Sequence, residues 1–300
     1  MSYLNITRPL NLIMIALMMA LIKYAFLETI GIDTYLSNFQ FILLILSVLL
    51  IAAGGNVIND VYDIANDRIN KADKIIISKK ISIANATSFY IFLTATGVVL
   101  GFLLSNWIDH KGLSVIFVIT AALLYSYATS FKNLLLLGNI IISLLVAFSL
   151  VTVILFDIYP GILDSISTSA LNATRVIMHY ALFAFGLNFI REITKDIHDV
   201  DGDKKAGRNT LPIVIGRKRA GRIVVVLLLV FTAGCIYYLY EYFYNSRSML
   251  FYFLFAVIGP LLFAVVKSFQ AKTKKEFALL STILKFIMLL GVISIAFYPI

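Results

Sequence analysis

Residues 41–68 read FILLILSVLLIAAGGNVINDVYDIANDR. From Phe41 to Ile58 there is no charged residue; three aspartates then follow close together, at Asp60, Asp63 and Asp67. A helix lying on a soluble protein carries polar residues along one face. This one carries almost none for roughly five turns at 3.6 residues per turn. Such a run suits a bilayer crossing, which takes about 20 residues. Lipid offers no partners to free backbone groups, so the segment must be helical. Its acidic end then emerges where the helix re-enters polar surroundings.

The same reading extends along the chain. Of 300 residues, 61% are apolar and 14% charged, and the mean hydropathy is +0.95. Globular domains carry about 25% charged residues. Nine crossings of about 20 residues would use roughly 180 residues, which matches the apolar share. A soluble domain and a disordered chain are both excluded. Uninterrupted apolar blocks place spans at about 9–27, 34–59, 84–108, 112–131, 133–156, 172–190, 223–240, 248–266 and 277–299. The expected fold is an all-α integral membrane protein. Nine transmembrane helices form one bundle around a central cavity, with cytoplasmic helical loops after spans 2 and 6, in a single domain over 1–300. The first apolar segment is too long for a signal peptide. Cys235 is the one cysteine, so no disulfide within the chain is possible. His110, His179 and His198 lack metal-ligand spacing.

A net charge of +9 in a soluble protein suggests nucleic acid. Here orientation explains it, and no nucleic-acid partner is expected. Of the 25 lysines and arginines, 20 lie on the side of the N-terminus and of the connections 60–83 and 191–222. The positive-inside rule puts that side in the cytoplasm of a cell-membrane protein. An odd number of spans leaves the C-terminus outside. Lys23, near a span end, is read as snorkelling to the interface.

Ten of the 16 acidic residues share the basic side, and eight of them fall in two clusters. In the first, Asn59, Asp63 and Asp67 are spaced i, i+4, i+8, one helix face. In the second, Asp196, Asp199 and Asp203 are i, i+3, i+7. Like charges a turn apart repel, so a cation should offset them. Carboxylates with an amide oxygen are hard ligands suited to magnesium, which is usually shared with substrate phosphates. Asp63–Asp199 and Asp67–Asp203 are each 136 residues apart. That spacing hints at an internal duplication, halves about 1–133 and 134–267 plus the last span. A calcium loop at Asp199 fails, because Lys204 and Thr210 stand where glycine and glutamate belong. Lys71, Lys74, Arg191, Lys195, Lys204 and Arg208 flank the clusters and suit a departing diphosphate.

These residues resemble the UbiA-type intramembrane prenyltransferases. The family's Asn-x-x-x-Asp-x-x-x-Asp is matched by Asn59, Asp63 and Asp67, and its second Asp-x-x-x-Asp by Asp199 and Asp203, with Asp196 upstream. Arg8-Pro9 with Asn11, Gly138-Asn139, Thr210-Leu211-Pro212 and Lys285 are further similarities. The likeness covers nearly the whole chain. Residues 191–203 are similar to the archaeal digeranylgeranylglyceryl phosphate synthase branch. Departures are Asn70-Lys71-Ala72-Asp73-Lys74-Ile75, which lacks the family's prolines and arginine, and a blurred tyrosine–lysine element at Tyr125, Tyr127 and Lys132. Lysine keeps the charge of arginine but loses its bidentate fork.

The resemblance implies transfer of a geranylgeranyl group from its diphosphate to geranylgeranylglyceryl phosphate, the second ether bond of archaeal lipids. It implies two or more Mg2+ at Asn59, Asp63, Asp67, Asp196, Asp199 and Asp203, with Asp63, Asp67, Asp199 and Asp203 catalytic. Ionisation would leave an allylic cation, shielded by an aromatic face among Tyr62, Tyr125 and Tyr127. Arg8, Lys132 and Lys285 are expected to bind the acceptor's phosphate, and Asn11, Lys71, Lys74, Arg191, Lys195 and Arg208 to assist substrate binding. Lys285 stands out because a charge within a span defaults to function. An aromatic (quinone-precursor) acceptor is the alternative within the family. A cation transporter is the alternative of another class, although its site belongs at the midplane rather than at span ends. A CDP-alcohol phosphotransferase lacks its motif here, since Ile64 follows Asp63.

Overall fold

The structure, a computed structural model, describes residues 2–70, 75–164 and 167–298. Lys71 and Lys74 lie outside them. Among the described residues, nine helices are long and apolar enough to cross a membrane. They are span 1 (Pro9–Leu27), span 2 (Asn38–Tyr62), span 3 (Ile83–Trp107), span 4 (Lys111–Thr129) and span 5 (Leu137–Gly161). Span 6 (Thr168–Lys205), span 7 (Arg217–Phe243), span 8 (Arg247–Gln270) and span 9 (Lys274–Phe297) complete the bundle. Outward faces are apolar: Leu182 is 66% exposed and Phe255 76%. Patches of that kind meet lipid, not water.

Local sequence fixes where the helices begin. Ser37 and Gln40 form a capping box at the start of span 2, and Thr273 with Glu276 forms another at span 9. Each satisfies backbone N–H groups that have no partner within the helix. Spans 2 and 3 approach closely because Gly97 has no side chain; a carbon there would lie 2.9 Å from the Ser47 carbonyl oxygen. The Ser47 hydroxyl donates to the Gly97 carbonyl at 2.6 Å. Small residues and interhelical hydrogen bonds of this type hold membrane helices together.

Two boundaries differ from expectation in a way that matters. Span 6 does not stop near residue 190 but runs 38 residues to Lys205. The second acidic cluster is therefore carried on one continuous helix. Span 2 does stop, at Tyr62, and Asp63 takes a non-helical conformation before a short helix, Ile64–Asn70. The first cluster thus bends around its middle residue.

Lys23 does not snorkel. It is 1% exposed, and its ammonium donates to Asp157 at 2.9 Å, to Thr34 Oγ1 at 2.9 Å and to the Leu36 carbonyl at 2.7 Å. Both charged residues sit on π-helical stretches, Leu21–Leu27 and Ile154–Ile158. This knot lies at the end of the bundle opposite the acidic clusters.

Residues from every span except the third surround a cavity of about 770 Å³. One end is ringed by charged and amide side chains, and the other by apolar ones such as Met18, Ile22, Leu150 and Ile295.

Candidate functional site

The two acidic clusters meet. The short helix Ile64–Asn70 docks on the end of span 6, and Gly202 makes this possible. A side-chain carbon at Gly202 would collide with Asn66 and Asn70. Asn66 Nδ2 donates to Asp203 Oδ1 at 2.8 Å, and Asn70 Nδ2 to the Asp199 carbonyl at 2.9 Å. The Gly202 N–H in turn donates to Asn70 Oδ1 at 3.2 Å. Neither asparagine was among the site residues expected from the sequence. The available signal was two asparagines four apart inside a helix, where that residue is a poor helix former.

Cations bridge the carboxylates. Arg208 donates to Asp63 from one nitrogen and to Asp203 at 2.9 Å from another. It reaches back because Gly207, at φ 72°, reverses the chain after span 6. Lys132 Nζ donates to Asp63 Oδ1 at 2.7 Å and to Asn59 Oδ1 at 3.4 Å. The lysine loop is brought in by Gly138, where a side-chain carbon would lie 2.7 Å from the Lys132 Cα. The neighbouring Asn139 donates to Asp196 Oδ2 at 2.8 Å. Asn59 donates to Asp63 Oδ2 at 2.8 Å. Burial alone would raise the Asp63 carboxyl, but the Lys132 ammonium and Arg208 guanidinium outweigh it and hold it below the ordinary carboxylate range. Burial wins at Lys132, whose ammonium is pushed down in spite of Asp63.

Arg8, Asn11, Asp67, Tyr127, Arg191, Lys195, Asp199 and Lys285 also line this cavity, whereas Lys204, expected beside the diphosphate, is exposed and does not. Arg8 pairs with Asp60 at 2.5 Å, and Glu192 accepts from Arg191 at 2.7 Å and from Lys195 at 2.9 Å. Lys285 turns inward and donates to Asn11 across spans 9 and 1 at 2.5 Å. Tyr62 and Tyr125 are not in the cavity. Their hydroxyls meet each other at 3.4 Å on the outside of the bundle, and both rings are more than 40% exposed. That leaves Tyr127 as the aromatic candidate of the three.

The donor set suits a hard cation. It is all carboxylate and amide oxygen, and no described trio of His, Cys, Asp or Glu forms a cage by itself. Magnesium takes one or two protein carboxylates and fills its remaining positions with water and phosphate oxygens. Arginine and lysine side chains, such as those beside these acids, suit phosphate oxygens.

Fold and site together define a polytopic membrane protein whose charged, acid-rich site opens onto an apolar cavity. The model of the UbiA prenyltransferase family matches residues 12–298. The chain belongs to that family. Digeranylgeranylglyceryl phosphate synthase of Methanosphaera stadtmanae is 31% identical over 98% of this chain and 97% of its own. A solved structure from work on digeranylgeranylglyceryl phosphate synthase in membranes has 26% identity and a TM-score of 0.61, covering 99% of this chain and 97% of that one. A UbiA homolog from Archaeoglobus fulgidus bound to DMAPP and Mg2+ shares the fold at 16% identity, with a TM-score of 0.57 and coverage of 98% and 99%.

Proposed function

We propose that the chain transfers a geranylgeranyl group from its diphosphate to the free glycerol hydroxyl of geranylgeranylglyceryl phosphate. The observation that carries this reading is the meeting of both acidic motifs, through Asn66, Asn70 and Arg208, at the charged end of one apolar cavity. The named relative supports the choice of acceptor.

Asn59, Asp63, Asp67, Asp196, Asp199 and Asp203 would hold two or more magnesium ions, which when bound supply Lewis-acid withdrawal of charge from the diphosphate. Arg208 stands beside these carboxylates, and so does Lys132, which was expected at the acceptor's phosphate but contacts Asp63 and Asn59; both would neutralise the charge that grows on the leaving diphosphate. Arg191 and Lys195 extend the basic rim, and Lys71 and Lys74 follow the first motif. The carbon–oxygen bond of the donor breaks with its electron pair going to diphosphate. The allylic cation that remains is shielded by the Tyr127 ring. The acceptor hydroxyl attacks that carbon, the ether bond forms, and the hydroxyl proton leaves with the diphosphate. Arg8, Lys285 and Asn11 hold the acceptor's own phosphate.

The motif end is read as cytoplasmic, with the N-terminus on that side and the C-terminus opposite. The matched positions of the acidic clusters on spans 2 and 6 support one domain grown from two halves, about 1–133 and 134–267, with the last span added.

An acceptor panel tests the assignment. Labelled geranylgeranyl diphosphate is offered to the purified protein with geranylgeranylglyceryl phosphate or with hydroxybenzoate. Label is expected in the glyceryl lipid, and the reaction stops with EDTA and resumes with added Mg2+. Label in the aromatic acceptor alone would overturn the acceptor, and turnover unchanged by EDTA would remove the metals.

A further inference from the structure

Depth in the cavity can be followed along span 9, where Lys285, Gly291, Ser294 and Ile295 all face it. At 1.5 Å per residue, Gly291 lies about 9 Å beyond Lys285 along the helix, and Ser294 about 4 Å further. A side-chain carbon at Gly291 would meet no atom within 4 Å. The glycine therefore leaves cavity space unfilled. Glycine inside a helix is less favourable than alanine, and neither a turn nor a helix contact calls for it here.

Just beyond Gly291 the cavity is closed. Tyr180 Oη and Ser294 Oγ are 2.8 Å apart in a buried hydrogen bond that ties span 6 to span 9. The Ser294 hydroxyl donates its own proton to the Gly291 carbonyl at 2.6 Å, so Tyr180 is the donor in the bridge. Ser294 is 0% exposed and Ile295 2%. A second layer lies behind, with the Tyr298 ring 6.4 Å from that of Tyr180 and 5.5 Å from that of Phe26.

We infer that Gly291 and the Tyr180–Ser294 bridge set the length of the prenyl chain the enzyme accepts, Gly291 by leaving room for the last isoprene unit and the bridge by stopping the next. The inference rests on the proposed transferase reading, in which the diphosphate lies at the acidic motifs and its tail points down the cavity. A hydrophobic pocket discriminates through the methylenes it admits or excludes, at roughly 10-fold or more per group.

The test compares kcat/KM for prenyl diphosphates of two to five isoprene units with one glyceryl phosphate acceptor and Mg2+. Gly291→Leu is expected to lower the ratio of the four-unit to the two-unit donor by at least about tenfold. Gly291→Ala, which adds one carbon into open space, is expected to move it the same way by less. Tyr180→Ala is expected to raise the ratio of the five-unit to the four-unit donor. Because each readout is a ratio, a partly folded variant still reports. Unchanged ratios in variants that remain active would overturn the gauge and place the tail elsewhere. A wild-type protein inactive toward every prenyl diphosphate would instead overturn the transferase reading.

Discussion

Gly202 decides how closely the two motifs approach, although it carries no functional group. Its missing side chain admits Asn66 and Asn70, and those asparagines hold Asp203 and the Asp199 carbonyl. Gly202→Ala is expected to leave span 6 helical and to drive the Asn66 and Asn70 side chains out of their hydrogen bonds, so that the short helix loses its dock. Displacing reacting groups by about 1 Å can cost roughly a hundredfold in rate. Turnover in the variant should fall by about that factor while circular dichroism stays unchanged; full turnover would show that the docking is not needed. Asn66→Ala should weaken turnover through the same contact. The acidic residues themselves were legible in the sequence because their spacing on one helix face is a local property. The asparagine–glycine lock was not, since Asn66 and Asp203 are 137 residues apart.

At the scale of elements, helix number and order were legible from apolar run length, because bilayer thickness sets it. Helix ends were less so. Span 6 runs past its apolar stretch because polar residues 191–205 find partners on the short helix Ile64–Asn70 and on span 5. The fate of Lys23 shows the same limit. A lysine near a span end looks alike whether it snorkels or pairs, and its partner Asp157 is 134 residues away. The pair joins two π-helical stretches, and removing one partner of a buried pair leaves the other uncompensated. Lys23→Ala is expected to destabilise the fold by about 3–5 kcal/mol. The double replacement Lys23→Met with Asp157→Leu should recover most of that loss. Thermal unfolding in detergent would check both, and a single variant as stable as the wild type would refute the clamp. Tyr62 and Tyr125 show a further limit, because a motif's register does not tell which ring turns outward.

For the whole molecule, the scarce charge has two uses. Twenty basic residues share one side, which the positive-inside rule reads as an orientation signal, and eight acids on that side form the two clusters. Cysteine labelling tests the orientation. In right-side-out vesicles, a cysteine replacing Lys205 should be shielded from a membrane-impermeant reagent, and one replacing Glu241 should react; the reverse pattern would invert the topology. Cavity depth was out of reach of the sequence, since it depends on spans 6 and 9 meeting at Tyr180 and Ser294. On the proposed function, the acids that follow span 2 and those that end span 6 act as a single site. Prenyl transfer by Asp63→Ala and by Asp199→Ala, each reconstituted in lipid and shown to be folded, tests this directly. Either replacement alone is expected to abolish transfer; full activity in either one would show that the two clusters do not work together.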